Sequence, residues 1–176
     1  MQAIVLSRRA WRENDELITL FTYDLGKVQA KATGSKKITS KQSAHLEPAG
    51  VIECALIPGR EIHHIAKAQP IEYFPGLRLN LEKSQMVAYA LSLVERVTAE
   101  RSRDINFFWF LRHWLEHMEK TVSSAPRLLD GLVLGLLVHL GFKPELDACV
   151  VCGREQKEIY KEALLNPSEK PGLYYA

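Results

Sequence analysis

The spacing of apolar positions changes once along this chain. Through the first 75 residues they come in short β-rich runs: "QAIVLSRRAW", "DELITLFTYD", "GKVQAKAT", "VIECALIPG" and "EIHHIAKAQPIEYF". The polar "RENDE" after the first run predicts a hairpin, and "YDLGK" predicts a turn in which Gly26 is free to take positive φ. The third run alternates strictly. Val28, Ala30 and Ala32 point one way, while Lys27, Gln29, Lys31 and Thr33 point the other, so the sheet has one apolar and one basic face. Pro58-Gly59 joins the last two runs. Five short strands with turn signals between them predict a small closed barrel, and the strand count alone fits an SH3-like barrel as well.

After "YFPGLRLN" the period becomes helical. Met86, Ala90, Leu93 and Val97 share one stripe with Val87, Leu91 and Val94 beside it, behind an N-cap at Asn80. Asp104 caps a second helix with the stripe Phe107, Leu111, Trp114 and Met118. Ser124 and Pro126 open a third, which Gly141 and Pro144 close. It is apolar nearly all round, which predicts the buried centre of a bundle, and Gly131 and Gly135 leave room for a close neighbour. The fold class expected is α+β: a small β-barrel over residues 1–78, then an all-α domain over 79–176.

Charge sharpens this picture. The 176 residues carry a net charge of only +2, with 47% hydrophobic and 25% charged residues, an ordinary globular composition. The surplus is local: residues 1–80 sum to +3 and the remainder to −1. Between Asp24 and Glu47 stand five lysines and no acid: Lys27, Lys31, Lys36, Lys37 and Lys41. On a barrel such a strand and loop suit a nucleic-acid backbone, and Gly34, Ser35, Thr39 and Ser40 add small donors for phosphate oxygens. Arg8, Arg9 and Arg12 extend the patch if the first strand lies alongside. The plain alternative is a solvated strand edge whose lysines prevent aggregation.

Cysteine chemistry is sparse. Cys54 lies in an apolar run and reads as core. Cys149 and Cys152 have the CxxC spacing of half a zinc site, but neither Cys nor His follows them. His113 and His117 are spaced to chelate, yet they also fall on the polar face of the second helix. No thioredoxin-like context surrounds the CxxC. His45-Leu46-Glu47 with the distant CxxC is a poor match to a zinc deaminase signature. No phosphate loop, dinucleotide fingerprint or nucleophile elbow appears, so no enzyme is expected. There is no signal-peptide pattern and no apolar run of membrane-spanning length, which predicts a cytoplasmic protein.

Three stretches carry a resemblance. "AIVLSRRAWRENDELITLFTYDLGKVQAKATGSKKITSK", "HLEPAGVIECAL" and "LLVHLGFKPELDACVVCG", taken in order, resemble the RecO family of bacterial recombination mediators. The resemblance implies an OB-fold followed by a helical domain with a zinc-finger-like element. It implies binding of single- and double-stranded DNA, annealing of complementary strands, and association with RecR and with the single-stranded-DNA-binding protein SSB. With RecR, family members help load RecA, without covalent chemistry and in association with the nucleoid. The DNA-binding positions it carries over are Lys27, Lys31, Lys36, Lys37 and Lys41. Family members usually continue into a second CxxC, whereas "LLNPSEKPGLYYA" resembles the segment before it. The expectation is therefore a C-terminally truncated chain, with structural zinc on Cys149 and Cys152 only if another ligand pair is supplied. A protein-only adaptor, its lysines serving solubility or an acidic peptide, is the alternative from another class. An RNA-binding OB protein is disfavoured only by the resemblance.

Overall fold

A computed structural model describes residues 1–35, 43–60, 62–121, 126–145, 148 and 153–155. The chain forms two compact units, 1–136 and 137–176. In the first, β1 (Gln2–Ala10), β2 (Glu16–Thr22), β3 (Gly26–Ala32), β4 (Val51–Ile57) and β5 (His63–Glu72) close a barrel in the order β1-β2-β3-β5-β4. All pairings are antiparallel except β3 with β5, which are parallel and meet at two residue pairs. A closed five-stranded barrel followed by helices is the OB-fold and helical arrangement expected.

Strand patterning explains what the barrel packs against. The run Ala3-Ile4-Val5-Leu6 in β1 is buried on both faces, and a strand covered on both sides has no reason to alternate. Ala3, Val5, Ile18, Leu20, Val28, Ala30, Ile52 and Cys54 fill the barrel interior. Burial pushes the Cys54 thiol up to about 11, so it is an inert core group as its apolar surroundings predicted. Ile4, Leu6, Phe21 and Val51 turn outward and share a second core with the helices. There Phe21 meets Phe107 edge-on at 5.3 Å. Each such fully buried Phe or Leu contributes about 1.5–3 kcal/mol.

The helices are α1 (Pro75–Leu79), α2 (Leu81–Val97), α3 (Ile105–Lys120) and α4 (Pro126–His139). The predicted caps form: Asn80 Oδ1 accepts from the Lys83 amide at 3.1 Å, and Asp104 Oδ1 from the Phe107 amide at 2.8 Å. In α3 the predicted stripe is buried, together with Phe108 and Leu115. In α2 the buried face runs through Val87, Ala90, Leu91 and Val94, while Val97 is exposed. The core face is thus centred on the residues beside the expected stripe.

The expectation for α4 needs correction. Only Leu132 and Leu136 are buried along it, and Leu134 is exposed. It packs along one stripe and is not a bundle centre. Gly135 allows a close approach, since a Cβ there would lie 2.1 Å from the Phe110 ring, whereas Gly131 faces open space. The short α1 was not foreseen. Its first amides, at Gly76 and Leu77, donate to the Glu119 carboxylate at 2.9 and 2.8 Å.

In the second unit, α4 ends with Gly141 at φ +85° and the Phe142 amide donating to the Leu137 carbonyl at 2.8 Å. That is the usual left-handed glycine stop. No described helix is long and apolar enough to cross a membrane.

Candidate nucleic-acid interface

Asp15 closes the turn between β1 and β2, its carbonyl accepting from the Trp11 amide at 3.1 Å and the Arg12 amide at 3.3 Å. Its side chain reaches across to β3 and the segment after it. Oδ1 accepts from the Gly34 amide at 2.9 Å, and Oδ2 pairs with Lys31 Nζ at 2.8 Å. The Lys31 hydrogen bond and the Gly34 amide hold the Asp15 carboxyl below the ordinary carboxylate range. A cleft of about 300 Å³ lies here, lined by Arg12, Glu13, Asn14, Asp15, Thr33 and Gly34.

Arg8 anchors the far side of the lysine-rich stretch. Its Nε donates to Glu16 Oε1 at 2.8 Å, and its Nη atoms reach the Ser43 carbonyl at 3.2 Å, Ser43 Oγ at 2.8 Å and Glu47. The Glu16 hydrogen bond, with help from Glu47, outweighs burial and raises the guanidinium pKa above its ordinary value. The residues at the two ends of the lysine-rich stretch, Gly34 before it and Ser43 after it, are therefore held by Asp15 and Arg8. Lys36, Lys37 and Lys41 lie between those ends, outside the described residues.

Lys27 departs from expectation. It keeps to the outer face of the barrel but is buried there, and its Nζ donates to the carbonyls of Glu95, at 2.6 Å, and Thr98. The C-terminus of α2 covers this end of the basic face and takes the ammonium as its cap, as the partial negative charge of a helix end favours. Arg9 pairs with Glu95 beside a polar cleft of about 410 Å³ that Lys27, Gln29 and Arg96 also line. Four of the expected cations, Arg8, Arg9, Lys27 and Lys31, thus have carboxylate or carbonyl partners within the chain.

Sequence reasoning overlooked Asp15, which looked like one more polar turn residue. It also overlooked Arg60 and Lys67, both exposed, in the β4–β5 connection and on β5. Register brings that hairpin to the site, because His63 and His64 pair with Ala30 and Lys31. The aromatic run of α3 serves mainly the core, with Phe108 fully buried and set edge-on to Tyr23.

His113 and His117 lie on the exposed side of α3, the His113 ring stacked on Trp109 at 5.9 Å. Among the described residues no three His, Cys, Asp or Glu side chains gather as metal ligands. Cys149 and Cys152 are outside those residues.

Comparison with known proteins accounts for both halves of the sequence. Residues 1–74 match the family described as Recombination protein O N terminal, and residues 78–168 match Recombination protein O C terminal. Among similar proteins, the DNA repair protein RecO of Caldanaerobacter subterraneus subsp. tengcongensis is 30% identical over 159 residues, covering 90% of this chain and 64% of the relative. That of Alkaliphilus metalliredigens is 30% identical, covering 91% and 65%, and that of Dehalococcoides mccartyi 34%, covering 88% and 60%. The chain spans just under two thirds of the length of these relatives. With both family halves matched in order onto a barrel and the helices that follow it, the chain belongs to the RecO family.

Proposed function

We propose that this chain is a non-catalytic DNA-binding mediator of recombinational repair. It engages single and double strands through the barrel edge and lysine-rich stretch, and anneals complementary single strands. With RecR it helps load RecA onto DNA coated by SSB. The observation that carries the reading is the segment "KKITSKQ", 36–42, with three lysines and no acid between ends fixed by Asp15 and Arg8. Because Lys27 and Lys31 have partners in the protein, the phosphate contacts fall to Lys36, Lys37 and Lys41. The lysines neutralise phosphates and release counterions, and base pairing supplies the sequence matching. Structural zinc on Cys149 and Cys152 belongs to this reading only with a further ligand pair.

The test is a fluorescence-anisotropy titration of a labelled single strand at several salt concentrations. Three phosphate contacts give a log–log salt slope of about −2, from about −0.7 each. In a Lys36→Glu/Lys37→Glu variant the slope flattens to about −0.7 and affinity drops. An affinity indifferent to salt and to this variant would sink the proposal.

One observation favours a protein-only adaptor as a second reading: Leu79 and Leu81, where α1 gives way to α2, and Tyr89 midway along α2 are exposed. Under that reading the lysine variant keeps its protein partners, and the unmodified chain binds no DNA.

A further inference from the structure

We propose that Arg9, on the outer face of the barrel, is a phosphate-binding position that the chain itself keeps occupied, the Glu95 carboxylate of α2 standing where a phosphodiester would bind. The inference deepens the DNA-binding reading and rests on it. Strand register builds the face. Ser7 lies opposite Thr19 and Thr19 opposite Gln29, while Arg9 lies opposite Leu17 and Leu17 opposite Lys31. Directly opposed residues share a face of the sheet. Ile18, Leu20 and Ala30 fill the interior, so Leu17, Thr19, Gln29 and Lys31, which alternate with them, point outward. Arg9 and Lys31 thus stand about 10 Å apart on either side of Leu17, at the usual strand spacing. A polar cleft of about 410 Å³ opens between this face and α2, with Arg9, Thr19 and Gln29 on the barrel side and Ser92 and Glu95 on the helix side.

The two cations of that row are held by acids in different ways. Lys31 and Asp15 are both largely buried, and Asp15 also accepts from the Gly34 amide, so their contact is built into the turn. The Arg9 side chain is 59% exposed and pairs with Glu95 Oε1, which also accepts from the Thr19 hydroxyl at 3.1 Å. Thr19 in turn accepts from Ser7 Oγ at 3.0 Å, which fixes the direction of its own proton. A guanidinium and a hydroxyl converging on one oxyanion is the coordination that a backbone phosphate receives, and here a carboxylate has it. An ion pair this exposed contributes little net, because water solvates both groups well when they part. Parting them also leaves α2 in place. The Lys27 ammonium holds the backbone carbonyls of Glu95 and Thr98, not the Glu95 carboxylate, and Leu91 and Val94 remain in the core. Of the other charges lining the cleft, Arg96 and Glu100 offset one another and Lys27 is engaged by the helix end. The Arg9–Glu95 pair therefore decides whether the face receives a phosphate.

The experiment measures binding of labelled oligothymidylate by anisotropy at several salt concentrations, for the full chain, Glu95→Gln, Arg9→Ala and the double variant. Glutamine keeps the size of the side chain and still accepts from Thr19, so the substitution removes the charge alone. Glu95→Gln is expected to bind about 5-fold more tightly, the upper range for an exposed ion pair. Its log–log salt slope should be steeper by about 0.7, for one added phosphate contact. Arg9→Ala alone should change neither affinity nor slope, since that cation is already occupied, and the double variant should lose the gain. Two results overturn the inference while leaving the DNA-binding reading intact. One is an unmodified chain that binds and a Glu95→Gln variant that matches it in affinity and slope. The other is a gain that survives in the double variant, which would mark a general effect of net charge. If neither the unmodified chain nor Glu95→Gln binds the strand, the DNA-binding reading fails and takes this inference with it. A thermal melt of each variant separates a changed contact from a changed fold.

Discussion

At one end of β3, Lys27 is buried with its ammonium on the carbonyls of Glu95 and Thr98. At the other, Lys31 is held by Asp15, and the chain runs on through Thr33 towards three more lysines. Both side chains belong to one alternating face, and the pattern makes them equivalent. What separates them is the neighbour. The segment after α2 lies against the start of β3, with the Arg101 amide donating to the Lys27 carbonyl at 2.9 Å. Among the described residues no helix cap takes the Lys31 ammonium, and there the face opens onto the β1–β2 turn. A lysine's role here is set by whether a helix end comes within reach.

Crowding at the closed end gives the largest expected effect. Gly26 sits at φ +70°, and a Cβ there would lie 2.1 Å from the Ser102 carbonyl oxygen. Gly26→Ala combines a left-handed Ala with a backbone clash and should cost on the order of 3 kcal/mol, read from urea unfolding. Lys27→Ala should come next. Stranding the last carbonyls of α2 costs about 1–3 kcal/mol, while the salt slope of DNA binding stays unchanged. A flattened slope in Lys27→Ala would erase the distinction between the two ends. The Lys36→Glu/Lys37→Glu variant should behave in the opposite way, shifting stability by no more than about 0.5 kcal/mol while weakening DNA binding.

The smallest effect concerns Asp15. Its carboxyl titrates below its unfolded value, chiefly through the Lys31 hydrogen bond. Its stabilising contribution is therefore complete above the ordinary carboxylate range and is lost as pH falls through the lower folded value. Amide exchange at Gly34 should lose protection across that acidic window, and Asp15→Asn should remove most of the pH dependence. Unchanged exchange in Asp15→Asn would detach the β1–β2 turn from the lysine-rich stretch.

Most of the fold was legible because local signals and tertiary demands agree. The five runs became five strands, Asn80 and Asp104 became caps, and the α3 stripe packed as its period required. Where reading failed, the deciding contact was remote. Nothing around Lys27 announces that Glu95 and Thr98, some seventy residues away, will supply its partners. The α4 sequence, apolar nearly all round, gave no indication of which stripe would be covered. At the candidate site the lysines stood out by composition, but the contacts holding that edge together, Asp15 with Gly34 and Arg8 with Ser43, have no local signal and exist only once the strands pair.

The pairing of β3 with β5 is only two residue pairs long, against seven for β2 with β3. Its consequence is kinetic. The β1-β2-β3 meander and the β4–β5 hairpin can form from nearby chain, whereas the β3–β5 seam joins residues more than thirty positions apart for little immediate return. Closure should therefore come late, with substitutions at Ala30 and His63 accelerating unfolding far more than they slow folding.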